Sequence, residues 1–282
     1  MAQEPTLGSE TFETALSKVL NTHGYGFQYA VIQRAYELSK GETTYWDHVV
    51  SEFPVATPGG ETRIDFVLKR RHQDAYLVAE CKRANPATST WCFVRAPRIG
   101  TSSSGRQIHV ESMFPDKQLG LLSGGEQLCW SDKCYGLGFE LRSGKVGDSG
   151  GQSRGLIEEA AGQAMRSVNG LVEFFKRRRI LLTPETKTMI LPAIFTTAEL
   201  YVSDVDLRQA DLHSGELARD AVGLESIDWL WLDYRQSPSL KHSATAGHGM
   251  NSIADTLHAE YARAVAVVSP KGIESFLSWE WS

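Results

Sequence analysis

The sequence predicts an α/β fold in which a central mixed β-sheet is flanked by helices and carries a glycine- and serine-rich insertion. Three observations lead there. Residues 63–69 and 75–82 are two short runs rich in Val, Leu, Ile, Phe and Tyr, divided by charges and turn formers, as adjacent strands are. Residues 156–179 repeat apolar side chains at helical spacing and end in a basic cluster, the pattern of a long helix laid on a sheet. Between these two regions, residues 86–155 turn rich in Gly and Ser, with loops at Ser102–Gly105 and Gly147–Gly151.

Taken in order, the first helix is expected from about Ser9, with Glu10 and Glu13 in its first turns and Phe12, Leu16, Val19 and Leu20 at helical spacing. Gly24 and Gly26 are read as its end. A second helix follows over Phe27–Ser39, with Phe27, Ala30, Val31, Ala35 and Leu38 on its apolar side. Val49–Val55 reads as a strand that Pro58-Gly59-Gly60 turns back into the run containing Asp65. Inside the insertion, Trp91–Val94 and Leu137–Leu141 are short apolar runs able to pair as hairpins. Beyond the long helix, strands are expected at Met189–Thr197, Leu200–Val205, Ile227–Tyr234 and Ala264–Val268. Helices are expected at Asn251–Arg263 and Gly272–Trp279. With no internal repeat and no long linker, residues 1–282 read as one elaborated domain, 86–155 being an insertion within it.

Composition sets outer limits. The chain has 282 residues, 41% of them hydrophobic and 22% charged, which suits a globular domain with a real core. No apolar run reaches bilayer length, so no membrane partner is expected. The opening Met-Ala-Gln-Glu-Pro-Thr lacks signal-peptide regions, and four cysteines (Cys81, Cys92, Cys129, Cys134) do not make a disulfide framework. The expected location is cytoplasmic. A net charge of −5 does not advertise a nucleic-acid partner. The basic runs at Lys69–His72 and Lys176–Arg179 read equally well as a solvated turn and a helix C-terminus.

Strand alternation places Arg63, Asp65 and Val67 on one face, with Ile64, Phe66 and Leu68 on the other. In the next strand Tyr76, Val78, Glu80 and Lys82 share a face. Each strand thus carries an acid where a sheet interior is expected. A buried carboxylate without a partner is costly, so such positions call for a cation. Two acids on adjacent strands with a lysine two residues on are what a magnesium-dependent phosphodiesterase needs. The carboxylates hold the hard cation, which stabilises charge growing on the phosphate and acidifies water, while the lysine sits beside that water.

Asp65 followed by Glu80-Cys81-Lys82 resembles the active-site signature of the PD-(D/E)XK superfamily, the restriction-endonuclease-like nucleases; Ile64 stands where the family name has proline. The resemblance implies that Asp65, Glu80 and the Cys81 carbonyl bind Mg2+, with Mn2+ able to substitute. It implies that Lys82 positions or activates the attacking water, and that products carry 5′-phosphate and 3′-hydroxyl ends. Gln163 on the long helix resembles the downstream glutamine of RecB-like members. The preceding helix often supplies a further acid or polar group, for which Glu13, Gln28 and Glu37 are the candidates. DNA is the substrate so implied, with RNA left open, and bacterial restriction or anti-phage defence the setting. A second copy of the chain or a defence-system protein would be its partner. The alternative is a nuclease-like module that holds nucleic acid or protein without cutting.

Two further motifs are set aside. Residues 122–127 resemble the signature of ABC-type ATPases, but the chain has no phosphate loop to accompany it. Cys129 and Cys134, with His109, are too loosely spaced for a zinc site.

Overall fold

The computed structural model describes residues 6–7, 10–57, 60–84, 89–95, 106–116, 120–141, 155–178, 187–235 and 262–280. Strands β1 (Thr6–Leu7) and β2 (Glu10–Thr11) pair with each other ahead of helix α1 (Phe12–His23) and helix α2 (Tyr25–Lys40). Three long strands follow: β3 (Trp46–Thr57), β4 (Gly60–Arg70) and β5 (Ala75–Lys82). Then come β6 (Thr90–Val94), β7 (Arg106–Asp116), β8 (Gly120–Ser131), β9 (Cys134–Tyr135) and β10 (Leu137–Leu141). Helix α3 (Leu156–Arg178) leads to β11 (Thr188–Thr196) and β12 (Glu199–Ser203). The described chain closes with β13 (Glu225–Ser226), β14 (Trp229–Arg235), β15 (Ala262–Val268) and a short helix α4 (Ile273–Leu277).

The central sheet runs β3-β4-β5-β11-β15-β14-β9, with the β7–β8 pair branching from β11. It is mixed. β3, β4 and β5 are antiparallel neighbours, β5, β11 and β15 are parallel, and β14 returns antiparallel to β15. The parallel step from β5 to β11 requires a crossover, which α3 supplies. Its buried stripe (Ile157, Ala161, Ala164, Val168, Leu171, Val172, Phe175) packs with Val67, Val78, Ile190 and Val265 on one sheet face. Val31, Ala35 and Leu38 of α2, with Ile273 and Phe276 of α4, cover Phe66, Leu77, Ala193 and Ala266 on the other. Every residue of β15 is buried, as expected of an inner strand covered on both faces.

The segment read as an insertion is strand-rich where described. β6 and β10 pair antiparallel, as their apolar runs suggested, and join β12 and β13 in a separate four-stranded sheet. β7 bonds to β11 and β9 to β14, so this segment also builds the central sheet. Residues 122–127 lie within β8, paired along their length with β7 rather than at a helix start.

Several boundaries differ from expectation. Helix α1 begins at Phe12, and Gly24 (φ 75°) ends it, but Gly26 lies inside α2 rather than breaking the chain. A left-handed φ is what selects glycine at a helix C-terminus, and Gly26 has no such role. No residue of α1 is buried; Leu16 is 59% exposed. Of the helix expected over Asn251–Arg263, residues 251–261 lie outside the described residues, while Ala262 and Arg263 open β15. His242, His248 and Trp281 also lie outside them. Trp279 packs its ring 5.7 Å from those of Trp229 and Trp231. Among the described residues, no helix is long and apolar enough to cross a membrane.

Candidate functional site

The site lies where three strands lose their regular pairing. The β4–β5 ladder runs from Lys69↔Tyr76 to Phe66↔Ala79 and stops one residue short of Asp65 and Glu80. In place of a ladder bond, Asp65 Oδ2 accepts the backbone N–H of Cys81 at 2.6 Å. On the other flank β3 and β4 pair at Ser51↔Phe66 and Phe53↔Ile64. Between those pairs Glu52 has φ 51°, a left-handed conformation that is strained for a residue with a Cβ. Ile64 also departs from the expected face. Alternation predicted that it would share a face with Phe66 and Leu68, but it packs in the α3-side cluster with Val67. Asp65, the residue between Ile64 and Phe66, is the one that falls out of both ladders.

The side chains around the break are joined. Gln28 of α2 donates from Nε2 to Glu52 Oε1 at 2.5 Å and to the Asp65 carbonyl at 3.1 Å. Glu80 is 5% exposed, with its Oε1 3.1 Å from Lys82 Nζ. The same ammonium lies 3.3 Å from Oε1 of Glu159, in the first turn of α3. Arg63 is 3.9 Å from Glu52 Oε2. Asp65 therefore commits Oδ2 and Glu80 commits Oε1, and the other oxygen of each carboxylate accepts no hydrogen bond among the described residues.

Electrostatics follow from that crowding. Burial raises Asp65 to about 6; the Cys81 amide opposes the shift, Glu52 adds to it and Lys82 opposes it. Burial, then the charge of Asp65, pushes Glu80 up to about 7 against the pull of Lys82 and Arg166. Burial and the same carboxylates push the Cys81 thiol well up, so its sulfur stays protonated and its backbone is the part open to chemistry. The centre is short of positive charge, and the donor set fits a hard divalent ion. Mg2+ characteristically takes one or two carboxylates with waters and substrate oxygens, not an all-protein cage. No group of three or more His, Cys, Asp or Glu suited to hold a metal occurs among the described residues, and Cys129, Cys134 and His109 form none.

Of the sequence candidates, Asp65, Glu80, Cys81 and Lys82 come together at the break. Gln28 is the α2 residue that reaches it; Glu13 is exposed, and Glu37 contacts Gln33 and Arg34 on its own helix. Gln163 stands one turn beyond Glu159 on α3, its Oε1 buried and without a hydrogen-bond partner among the described residues. Sequence reasoning gave no site role to three residues, although it places Arg166 beside Gln163 on the polar side of the long helix. Glu52 falls opposite Asp65 when the register is counted back from the Thr57↔Gly60 pair. Glu159 and Arg166 lie four residues before and three after Gln163, on the same helix face. A cavity of about 570 Å³ lined by Arg106, Phe139, Glu158 and Tyr234 does not include Asp65, Glu80 or Lys82.

Fold and site together define a mixed α/β protein with a buried and a half-buried carboxylate and a lysine at a strand break. No family model, curated protein or solved structure matches this chain.

Proposed function

We propose that this protein is a metal-dependent nuclease of the restriction-endonuclease-like kind, hydrolysing DNA phosphodiester bonds. The observation that carries the reading is the convergence of Asp65 and Glu80 beside Lys82, each with an oxygen that accepts no hydrogen bond among the described residues. The surroundings support it: a helix, three antiparallel strands, then a helical crossover to a parallel strand. Strands β6–β10 are in this reading an elaboration of that core.

Asp65, Glu80 and the Cys81 carbonyl would hold Mg2+ or Mn2+. When bound, such an ion supplies charge stabilisation on the phosphate and acidifies water. The chain's own groups do the rest. Lys82, held between Glu80 and Glu159, orients the attacking water against the phosphorus and offsets charge on the phosphate. The Cys81 amide fixes the Asp65 carboxylate in one orientation, so its second oxygen is pre-aimed. Gln28 ties Glu52 to the Asp65 backbone and holds the strand break open.

The test is direct. Purified protein is incubated with plasmid DNA, linear DNA and RNA in Mg2+, Mn2+, Ca2+ or EDTA, and the products are resolved on gels. DNA cleavage in Mg2+ or Mn2+ that EDTA stops and Ca2+ supports poorly is the expected result. Absence of cleavage of every nucleic acid in every metal overturns the reading in favour of a binding module.

A further inference from the structure

Resting on the nuclease reading, we propose that Arg166 is the substrate clamp of this site, its guanidinium taking non-bridging oxygens of a nucleic-acid phosphate. The argument starts from α3. Glu159, Gln163 and Arg166 are spaced four and three residues apart, so they form one stripe. The upper end of that stripe touches the centre through the Glu159–Lys82 ion pair. Arg166 starts about two turns, or ~10 Å, below Glu159 along the helix axis. Its side chain folds back by about one turn toward that end. A Cβ built on Gly162 would lie 3.6 Å from Arg166 NH1 and 3.5 Å from the Tyr234 hydroxyl, which places the guanidinium over the preceding turn.

Charge pairing singles the residue out. Lys82 is paired with Glu80 and Glu159, and Arg63 with Glu52. Arg166 is half-buried, yet no carboxylate among the described residues lies within ion-pair distance of it. Its field reaches Glu80 without a contact. A partly desolvated guanidinium with no anion is unfavourable in the free protein and favourable once an anion arrives. The fork of donors on Arg matches phosphate oxygens better than an ammonium does. With a cation neutralising Asp65 and Glu80, the remaining positive charge of Arg166 is directed to substrate.

The experiment uses Ca2+, which permits binding with little cutting. Affinity for a 5′-fluorescein-labelled DNA duplex and its single strand is measured by anisotropy across a salt series, for wild type, Arg166→Gln and Arg166→Lys. Mg2+ binding to each protein is measured by calorimetry. Arg166→Gln is expected to weaken DNA binding about tenfold, independent of sequence, and to reduce the salt slope by about one. Its Mg2+ affinity should be unchanged or tighter, because a positive neighbour of Glu80 is gone. Arg166→Lys keeps that charge and should still bind DNA several-fold more weakly than wild type. Wild-type DNA affinity in either variant overturns the proposal while leaving the nuclease reading standing, and so does weaker Mg2+ binding by Arg166→Gln, which would make Arg166 a structural counter-charge. Failure of the wild type to bind any DNA in Ca2+ or Mg2+ overturns both.

Discussion

In the metal-free protein, Glu80→Gln should stabilise the fold at alkaline pH and leave it nearly unchanged at acidic pH. A glutamate that ordinarily titrates near 4.5 sits at about 7 in the folded chain, burial being the first cause and the charge of Asp65 the second. Between those values the folded state holds a proton that the unfolded state has released. Stability from this group is therefore full below about pH 4.5 and is lost as pH rises through about 7. The loss is on the order of 3 kcal/mol, at about 1.4 kcal/mol per pH unit. The neutral amide does not incur it. The variant does give up the Glu80–Lys82 ion pair, but Lys82 keeps Glu159, so a net gain of about 1–3 kcal/mol at pH 8 is expected. For a chain of this size that is a few degrees in Tm. Urea and thermal unfolding in EDTA at pH 5 and pH 8 measure it, and only the difference between the two proteins matters, since other groups titrate in both. Saturating Mg2+ should reverse the order by stabilising the wild type more. A Glu80→Gln effect that is the same at both pH values, or that destabilises more at pH 8, would refute the reasoning.

The remaining predictions concern the same centre. Asp65→Ala should lose Mg2+ binding by calorimetry and DNA cleavage together, because one carboxylate alone is left to hold the ion. Lys82→Ala should bind Mg2+ as well as or better than wild type, while cleavage falls about a hundredfold or more; a normal rate would make Lys82 a structural charge. Gln163→Ala should lower turnover with little change in Tm, since its buried Oε1 has no partner to lose; full activity would remove Gln163 from the site.

Much of this architecture was legible because local chemistry and tertiary context agree. Asp65 and Glu80 stood out as acids in apolar strands, and α3 as a long apolar stripe with acids at its start and bases at its end. The integration of β7 and β9 into the central sheet was not legible. Thr188–Ile190 pair with Glu111–Met113 across some seventy-five residues of chain, and no local pattern encodes such a partnership. Gly26 misled for the opposite reason. A glycine inside a helix costs about 1 kcal/mol, which α2 tolerates because Val31, Ala35 and Leu38 anchor it to the sheet. Glu52 was hidden inside an ordinary strand, and its significance depends on a backbone angle that sequence does not display.

A structural sheet has no energetic reason to keep this centre as it is. Replacing a buried ion pair by packed apolar residues is often neutral or stabilising, and the same sheet does so nearby, with Val67 and Val78 cross-paired on one face next to the break. At the break, by contrast, a buried and a half-buried carboxylate are driven to bind protons, a glutamate is held at φ 51°, and the half-buried Arg166 has no carboxylate within ion-pair distance among the described residues. Each of these costs has the same kind of remedy. A divalent cation between Asp65 and Glu80 relieves the carboxylates, and a phosphate relieves Arg166. The two ligands also suit each other, since the cation attracts the phosphate that the arginine receives. A binding module that held only protein would use neither remedy, whereas a phosphodiesterase uses both at once. On the proposed reading the strain of the free protein is the counterpart of an affinity for metal and strand together, so stability without metal and affinity with it should move in opposite directions when Glu80 is neutralised.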